Sequence, residues 1–182
     1  GASMVWAKAY DRPFEDIDSA GNPVSNVFTG NTRLGILDAV WKWSPNGNST
    51  RTSLTLQGEY FRRLESGSLV YDEGGQALAD SFRSAQSGWY AQAVYKFLPE
   101  WRVGLRYDRL DVGNVNASSN TENLYLPSYS PNRTTLMFDW APSEYSRVRL
   151  QLAQDRARYG LTDNQIMIQY MMSLGSHGAH GY

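Results

Sequence analysis

The chain has 182 residues, with 17 Lys and Arg set against 18 Asp and Glu, and it contains no cysteine. A formal net charge of -1 gives no electrostatic reason to expect nucleic acid, and the lack of cysteine excludes a disulfide framework and thiolate chemistry. No window approaches the ~20 consecutive apolar residues of a membrane-crossing helix, so a helical membrane protein is excluded as well.

The aromatic residues are unusual in kind: 12 Tyr and 6 Trp accompany 6 Phe, favouring rings that keep one polar atom wet. Gly1, Ala2, Ser3 and Met4 read as an expression scar, residues 1–4, which leaves 5–182 as a single domain.

In chain order, the recurring period is two, the period of strands. Residues 5–10 form the first candidate, with Lys8 on one face and mostly alanine on the other. Next, Leu37, Ala39, Trp41 and Trp43 oppose Asp38, Val40 and Lys42, and Leu54, Leu56, Gly58 and Tyr60 oppose Thr55, Gln57, Glu59 and Phe61. Trp89, Ala91, Ala93, Tyr95 and Phe97 alternate with Tyr90, Gln92, Val94 and Lys96, and Trp101, Val103, Leu105 and Tyr107 with Arg102, Gly104, Arg106 and Asp108. Thr134, Leu136, Phe138 and Trp140 alternate with Thr135, Met137 and Asp139. Val148, Leu150 and Leu152 back onto Arg147, Arg149, Gln151 and Ala153, and Ile166, Ile168, Tyr170, Met172 and Leu174 back onto Gln165, Met167, Gln169, Met171 and Ser173. About eight strands result.

The connections alternate in length. Ser44-Pro45-Asn46-Gly47-Asn48, Leu98-Pro99-Glu100 and Ala141-Pro142-Ser143-Glu144 are tight Pro-marked turns, whereas 11–31, 64–87 and 111–131 read as long polar loops and 156–163 as a shorter one. Trp43, Phe97, Trp101, Trp140 and Tyr145 collect beside the short turns. Short turns with an aromatic girdle at one end, and charges confined to one parity, are the pattern of outer-membrane barrels, whose short turns are periplasmic. The expected fold is therefore all-β: an antiparallel up-and-down transmembrane β-barrel of about eight strands, in the bacterial outer membrane with lipid as its partner. A soluble sandwich or lipocalin-like barrel alternates as well, but gives aromatics no reason to gather at one end.

Several stretches carry a resemblance. Val40-Trp41-Lys42-Trp43-Ser44-Pro45-Asn46-Gly47, Leu56-Gln57-Gly58-Glu59-Tyr60-Phe61-Arg62-Arg63, Ser87-Gly88-Trp89-Tyr90, the run from Trp101 to Leu110 and the ending from Gln169 to His180 resemble a family of proteobacterial outer-membrane β-barrel proteins. That family is often labelled zinc-regulated or TonB-dependent receptor, or uncharacterised porin-like protein. The similarity runs from about Thr32 onward and is to the C-terminal part of longer members. It implies outer-membrane localisation and folding by the barrel-assembly machinery, with Tyr182 as assembly signal where family members end in Phe. No plug domain or TonB-box-like segment is present, so the receptor label does not carry over to this chain.

Within a barrel, Arg102, Arg106, Arg147 and Arg149 would form an interior basic wall, with Glu59, Asp108, Asp139 and Asp155 as acidic partners. A wide barrel would make that wall the lining of an anion-favouring lumen, and a narrow one would fill its core with the ion pairs. The corresponding functions are porin- or receptor-like passage of a small solute or ion, or a closed small barrel serving as membrane anchor or loop-presenting binding protein. Unpaired first and last strands would have to meet each other, a second copy, or strands of a larger barrel.

No cofactor and no enzyme activity are expected. His177 and His180 are the only histidines, and two ligands do not make a zinc site. Glu15, Asp16 and Asp18 before Gly21 lack calcium-loop spacing. Ser173 with His177 has no orienting acid, and nothing singles out a carboxylate site among Asp11, Asp16, Asp72 and Asp111.

Overall fold

A computed structural model describes residues 1–126 and 128–173. The strands are β1 (Ala2–Ile17), β2 (Pro23–Trp43), β3 (Ser53–Tyr71), β4 (Leu78–Leu98), β5 (Trp101–Asn116), β6 (Asn132–Ser143), β7 (Ser146–Arg156) and β8 (Asp163–Met172). They form one antiparallel sheet in the order β1-β2-β3-β4-β5-β6-β7-β8. The strand count and the alternation of faces follow the period-two pattern.

The expected closure does not follow. The ladder begins at β1 and ends at β8, and among the described residues no pairing joins the two. The transmembrane β-barrel is thereby corrected to an open sheet. With it fall the outer-membrane localisation, the lipid and barrel-assembly partners, the porin- or receptor-like passage and the closed-anchor alternative, because a strand edge left open in lipid leaves its peptide groups unmet. The physical reason is plain: alternation reports which face a side chain takes, whereas closure depends on tilt and stagger summed over every strand. His177, His180 and Tyr182 lie outside the described residues.

The chain divides into two compact units: residues 1–39, 58–90 and 108–131, and residues 40–57, 91–107 and 132–182. The first unit holds the apolar core, in the stretches expected to be loops. β1 continues to Ile17 and β2 starts at Pro23, while β3 runs to Tyr71 and β4 starts at Leu78. A register shift between Ala9 and Arg12, with Asp11 at φ 46°, moves β1 to the opposite parity and hides its continuation from a strict period-two reading. Beyond it, Val24 and Phe28 of β2, Leu69 and Tyr71 of β3, Phe82 of β4, and Ala117 and Leu124 pack into one buried cluster. Phe28 meets Phe82 edge to face, with centroids 5.5 Å apart.

Residues 117–126 fold back over this core. Leu124 bridges to Asp18, Ser19 N–H donates to the Asn123 carbonyl at 2.9 Å, and Asn120 Nδ2 donates to the Leu78 carbonyl at 2.9 Å. Asp80 accepts from Ser119 through its hydroxyl at 2.5 Å and its N–H at 3.1 Å, and from the Ser81 N–H at 2.6 Å. These donors, the Ser119 hydroxyl foremost, hold the Asp80 carboxyl below its ordinary value of 3.8. A lowered carboxyl stabilises the fold above that value and loses its contribution as pH falls through the folded one. Ser119→Ala is therefore expected to raise the Asp80 titration toward 3.8 in carboxyl-detected NMR; an unchanged midpoint would contradict the assigned cause.

Close backbone approach demands glycine at several positions in this unit, Gly30 and Gly113 among them. A Cβ on Gly30 would overlap the Ser66 carbonyl of β3, and Gly113, at φ +74°, would drive one into the Ala85 carbonyl of β4. Gly113→Ala combines a left-handed backbone with a backbone overlap, and should cost about 1–3 kcal/mol in denaturant unfolding. A midpoint equal to that of the unmodified chain would remove the basis for this reading.

Candidate functional site

In the second unit the buried charge lies on the face opposite the aliphatic rows. Asp139 of β6 is 1% exposed, and its direct cross-strand partner on β7 is Arg149. Arg149 Nε donates to Asp139 Oδ1 at 2.6 Å and Nη2 donates to Oδ2 at 2.9 Å, a fork that an aspartate two strands away could not offer. Arg147 Nη1 approaches Oδ2 at 3.7 Å. The hydrogen bond to Asp139 raises the Arg149 pKa above its ordinary value, against the opposing effect of burial.

The interior set named from sequence is thus distributed. Arg147, Arg149 and Asp139 come together, whereas Asp155 pairs with Arg133 at 3.5 Å. Arg102 and Arg106 lie half-buried on β5, while Glu59 and Asp108, also half-buried, belong to the first unit. With the sheet open, these arginines line no enclosed lumen. Sequence reasoning missed a second buried carboxylate, in the first unit: Glu65 accepts from Arg12 at 3.0 Å, Thr32 at 3.2 Å and Ser84 at 3.2 Å. Arg12 and Glu65 both fall in stretches read from sequence as loops, 11–31 and 64–87, so neither was given a strand face.

Removing Asp139 would leave Arg149 without its fork, and breaking a buried pair typically costs ~3–5 kcal/mol. Because Arg149 keeps some access to water, the lower end applies: Asp139→Ala should lose about 3 kcal/mol in urea unfolding. A loss under about 1 kcal/mol, the scale of an exposed ion pair, would show that the fork does not hold β6 to β7.

The five aromatics beside the short turns, Trp43, Phe97, Trp101, Trp140 and Tyr145, all belong to this unit and all are exposed. Trp101 and Trp140 stack at 6.0 Å, and Phe97 lies 6.5 Å from Tyr95.

The opposite face of β6, β7 and β8 is open. The registers align its side chains into cross-strand rows: Thr134–Gln154–Asn164, Leu136–Leu152–Ile166, Phe138–Leu150–Ile168 and Trp140–Val148–Tyr170. Between the first two rows lies a shallow groove of about 410 Å³ lined by Thr134, Leu136, Leu152, Gln154, Asn164 and Ile166, among others. Ile166 and Ile168 are 73% and 76% exposed.

β8 is also the last strand of the ladder. Ser173 N–H donates to the Tyr145 carbonyl at 2.8 Å, and the β7–β8 register continues that pairing through Met171↔Arg147, Gln169↔Arg149 and Met167↔Gln151. In an antiparallel ladder, hydrogen-bonded and non-hydrogen-bonded pairs alternate. Odd-numbered residues of β8 therefore bond to β7, and the N–H and C=O groups of Ile166, Ile168 and Tyr170 point to the free edge. No charged residue interrupts β8 after Asp163.

β1, at the other end of the ladder, differs. Asp38 N–H donates to the Gly1 carbonyl at 3.0 Å, so Met4, Trp6 and Lys8 turn their peptide groups outward. There Lys8, whose ammonium lies 4.9 Å from the Tyr10 ring centroid, the bulge at Asp11, and Pro13 interrupt the edge, all devices that discourage strand pairing. β8 has none of them.

Comparison with known proteins adds little chemistry. No family model and no solved structure matches the chain, and the open sheet overturns the resemblance to the outer-membrane barrel family. A protein of Aquifex aeolicus (strain VF5), described only as uncharacterized, is 30% identical over 188 residues. The match covers 100% of this chain but 36% of that relative, so the chain spans about a third of the length of the relative it matches.

Proposed function

We propose that this chain is a binding module that recruits an extended segment of another polypeptide by strand addition at β8, with no reaction of its own. The observation that carries the reading is the free edge of β8, with the outward peptide groups of Ile166, Ile168 and Tyr170 and no charge along it. Such an edge supplies main-chain hydrogen bonds for affinity, and the neighbouring side-chain rows supply selectivity. Each new peptide hydrogen bond contributes on the order of 1 kcal/mol net, so an added strand needs apolar contact as well. The exposed isoleucines provide that contact.

The probe is a synthetic alternating valine–threonine peptide with lysines at both ends for solubility. On its addition, the amides of Ile166, Ile168 and Tyr170 should gain hydrogen-exchange protection. Ile168→Pro removes one outward donor while leaving every bond to β7 in place, a substitution that edge strands tolerate. The variant should unfold as the unmodified chain does, yet bind the peptide at least tenfold more weakly. Undiminished binding by Ile168→Pro, or protection appearing on β1 instead, would overturn the proposal. So would sedimentation showing that the edge is already occupied by a second copy.

A further inference from the structure

We infer that the β8 edge selects its strand by sequence order: an uncharged antiparallel segment reading aromatic-x-aliphatic-x-aliphatic-x-polar from its N-terminus. This rests on the strand-addition reading above and specifies its ligand. A strand laid antiparallel along β8 places alternate side chains beside Tyr170, Ile168, Ile166 and Asn164 in turn, all on the open face. It thereby extends four rows whose character is already set by β6 and β7.

The first row, Trp140–Val148–Tyr170, is bounded by two aromatic rings and suits a third. The next two, Phe138–Leu150–Ile168 and Leu136–Leu152–Ile166, end in isoleucines that are mostly exposed, and an aliphatic neighbour would cover them. The last, Thr134–Gln154–Asn164, is wholly polar and offers amide and hydroxyl groups to a polar partner.

Charge points to the same ligand. None of the twelve side chains in these rows, counted as four rows of three, is ionisable at neutral pH. A Lys, Arg, Asp or Glu at any of the four positions would find no ionic partner in its row, and an apolar or neutral polar side chain would cover the row better. The x positions fall on the other face, beside Gln169, Met167 and Gln165, where small polar residues fit. Antiparallel addition continues the direction of every pair already in the sheet and is the slightly more stable geometry.

Two peptides test this: lysine-flanked tyrosine-threonine-isoleucine-threonine-isoleucine-threonine-asparagine, and the same residues in reverse order. Titration by calorimetry, with hydrogen exchange read at Ile166, Ile168 and Tyr170, should show the forward peptide binding about tenfold more tightly, as expected from a few matched cross-strand pairs. Replacing Tyr170 with threonine should shrink that ratio. Equal affinity, with both peptides protecting the β8 amides, overturns the ordered-row inference while strand addition stands. Tighter binding of the reversed peptide overturns it also. If neither peptide protects β8, strand addition itself fails.

Discussion

Each residue in a strand turns one N–H donor and one C=O acceptor to the same side of the backbone, the side alternating along the strand, and the organisation of this chain depends on where those groups find partners. Seven of the strands hand them on to a successor. β8 has no successor among the described residues, so its outward groups at Ile166, Ile168 and Tyr170 face away from the ladder. β1 ends the ladder at the other side but carries a lysine, a bulge and a proline that make its edge a poor template.

Inside the second unit, electrostatics and hydrophobicity have exchanged their usual places. The Asp139–Arg149 fork is covered, and the aliphatic and aromatic rows are open. A forked, charge-assisted pair fixes the register of β6 against β7, and the register in turn aligns the rows that continue onto β8. The first unit is built conventionally, with Phe28, Leu69 and Phe82 at its centre and the 117–126 segment drawn over them by Leu124 and Asn120.

How much of this was legible beforehand follows from what period two encodes. The faces of Asp139, Arg149, Ile166 and Ile168 could be read directly, since alternation is a local property. The extension of β1 past Asp11 could not, because one extra residue reverses the parity and the strand then looks like a polar loop. Glu65 was not legible either, because the charged and small residues from Leu64 to Ser68 read as a loop and its partner Arg12 lay beyond the shift in β1. Closure was the larger error. A run of alternating strands with short turns at one end is compatible with a closed cylinder and with an open sheet, and the difference lies in twist and stagger that no single strand records. The β8 edge did leave a trace in sequence, the absence of charge after Asp163, which reads as an unguarded edge once the strand is known to be the last.

Residue-resolved amide hydrogen exchange on the chain alone addresses the open edge most directly. Gln165, Met167, Gln169 and Met171 should be protected by their bonds to β7, while Ile166, Ile168 and Tyr170 should exchange at rates close to those of an exposed peptide. Equal protection of both sets would mean that the outward groups of β8 already have partners, and would contradict the open edge on which this account of the protein depends.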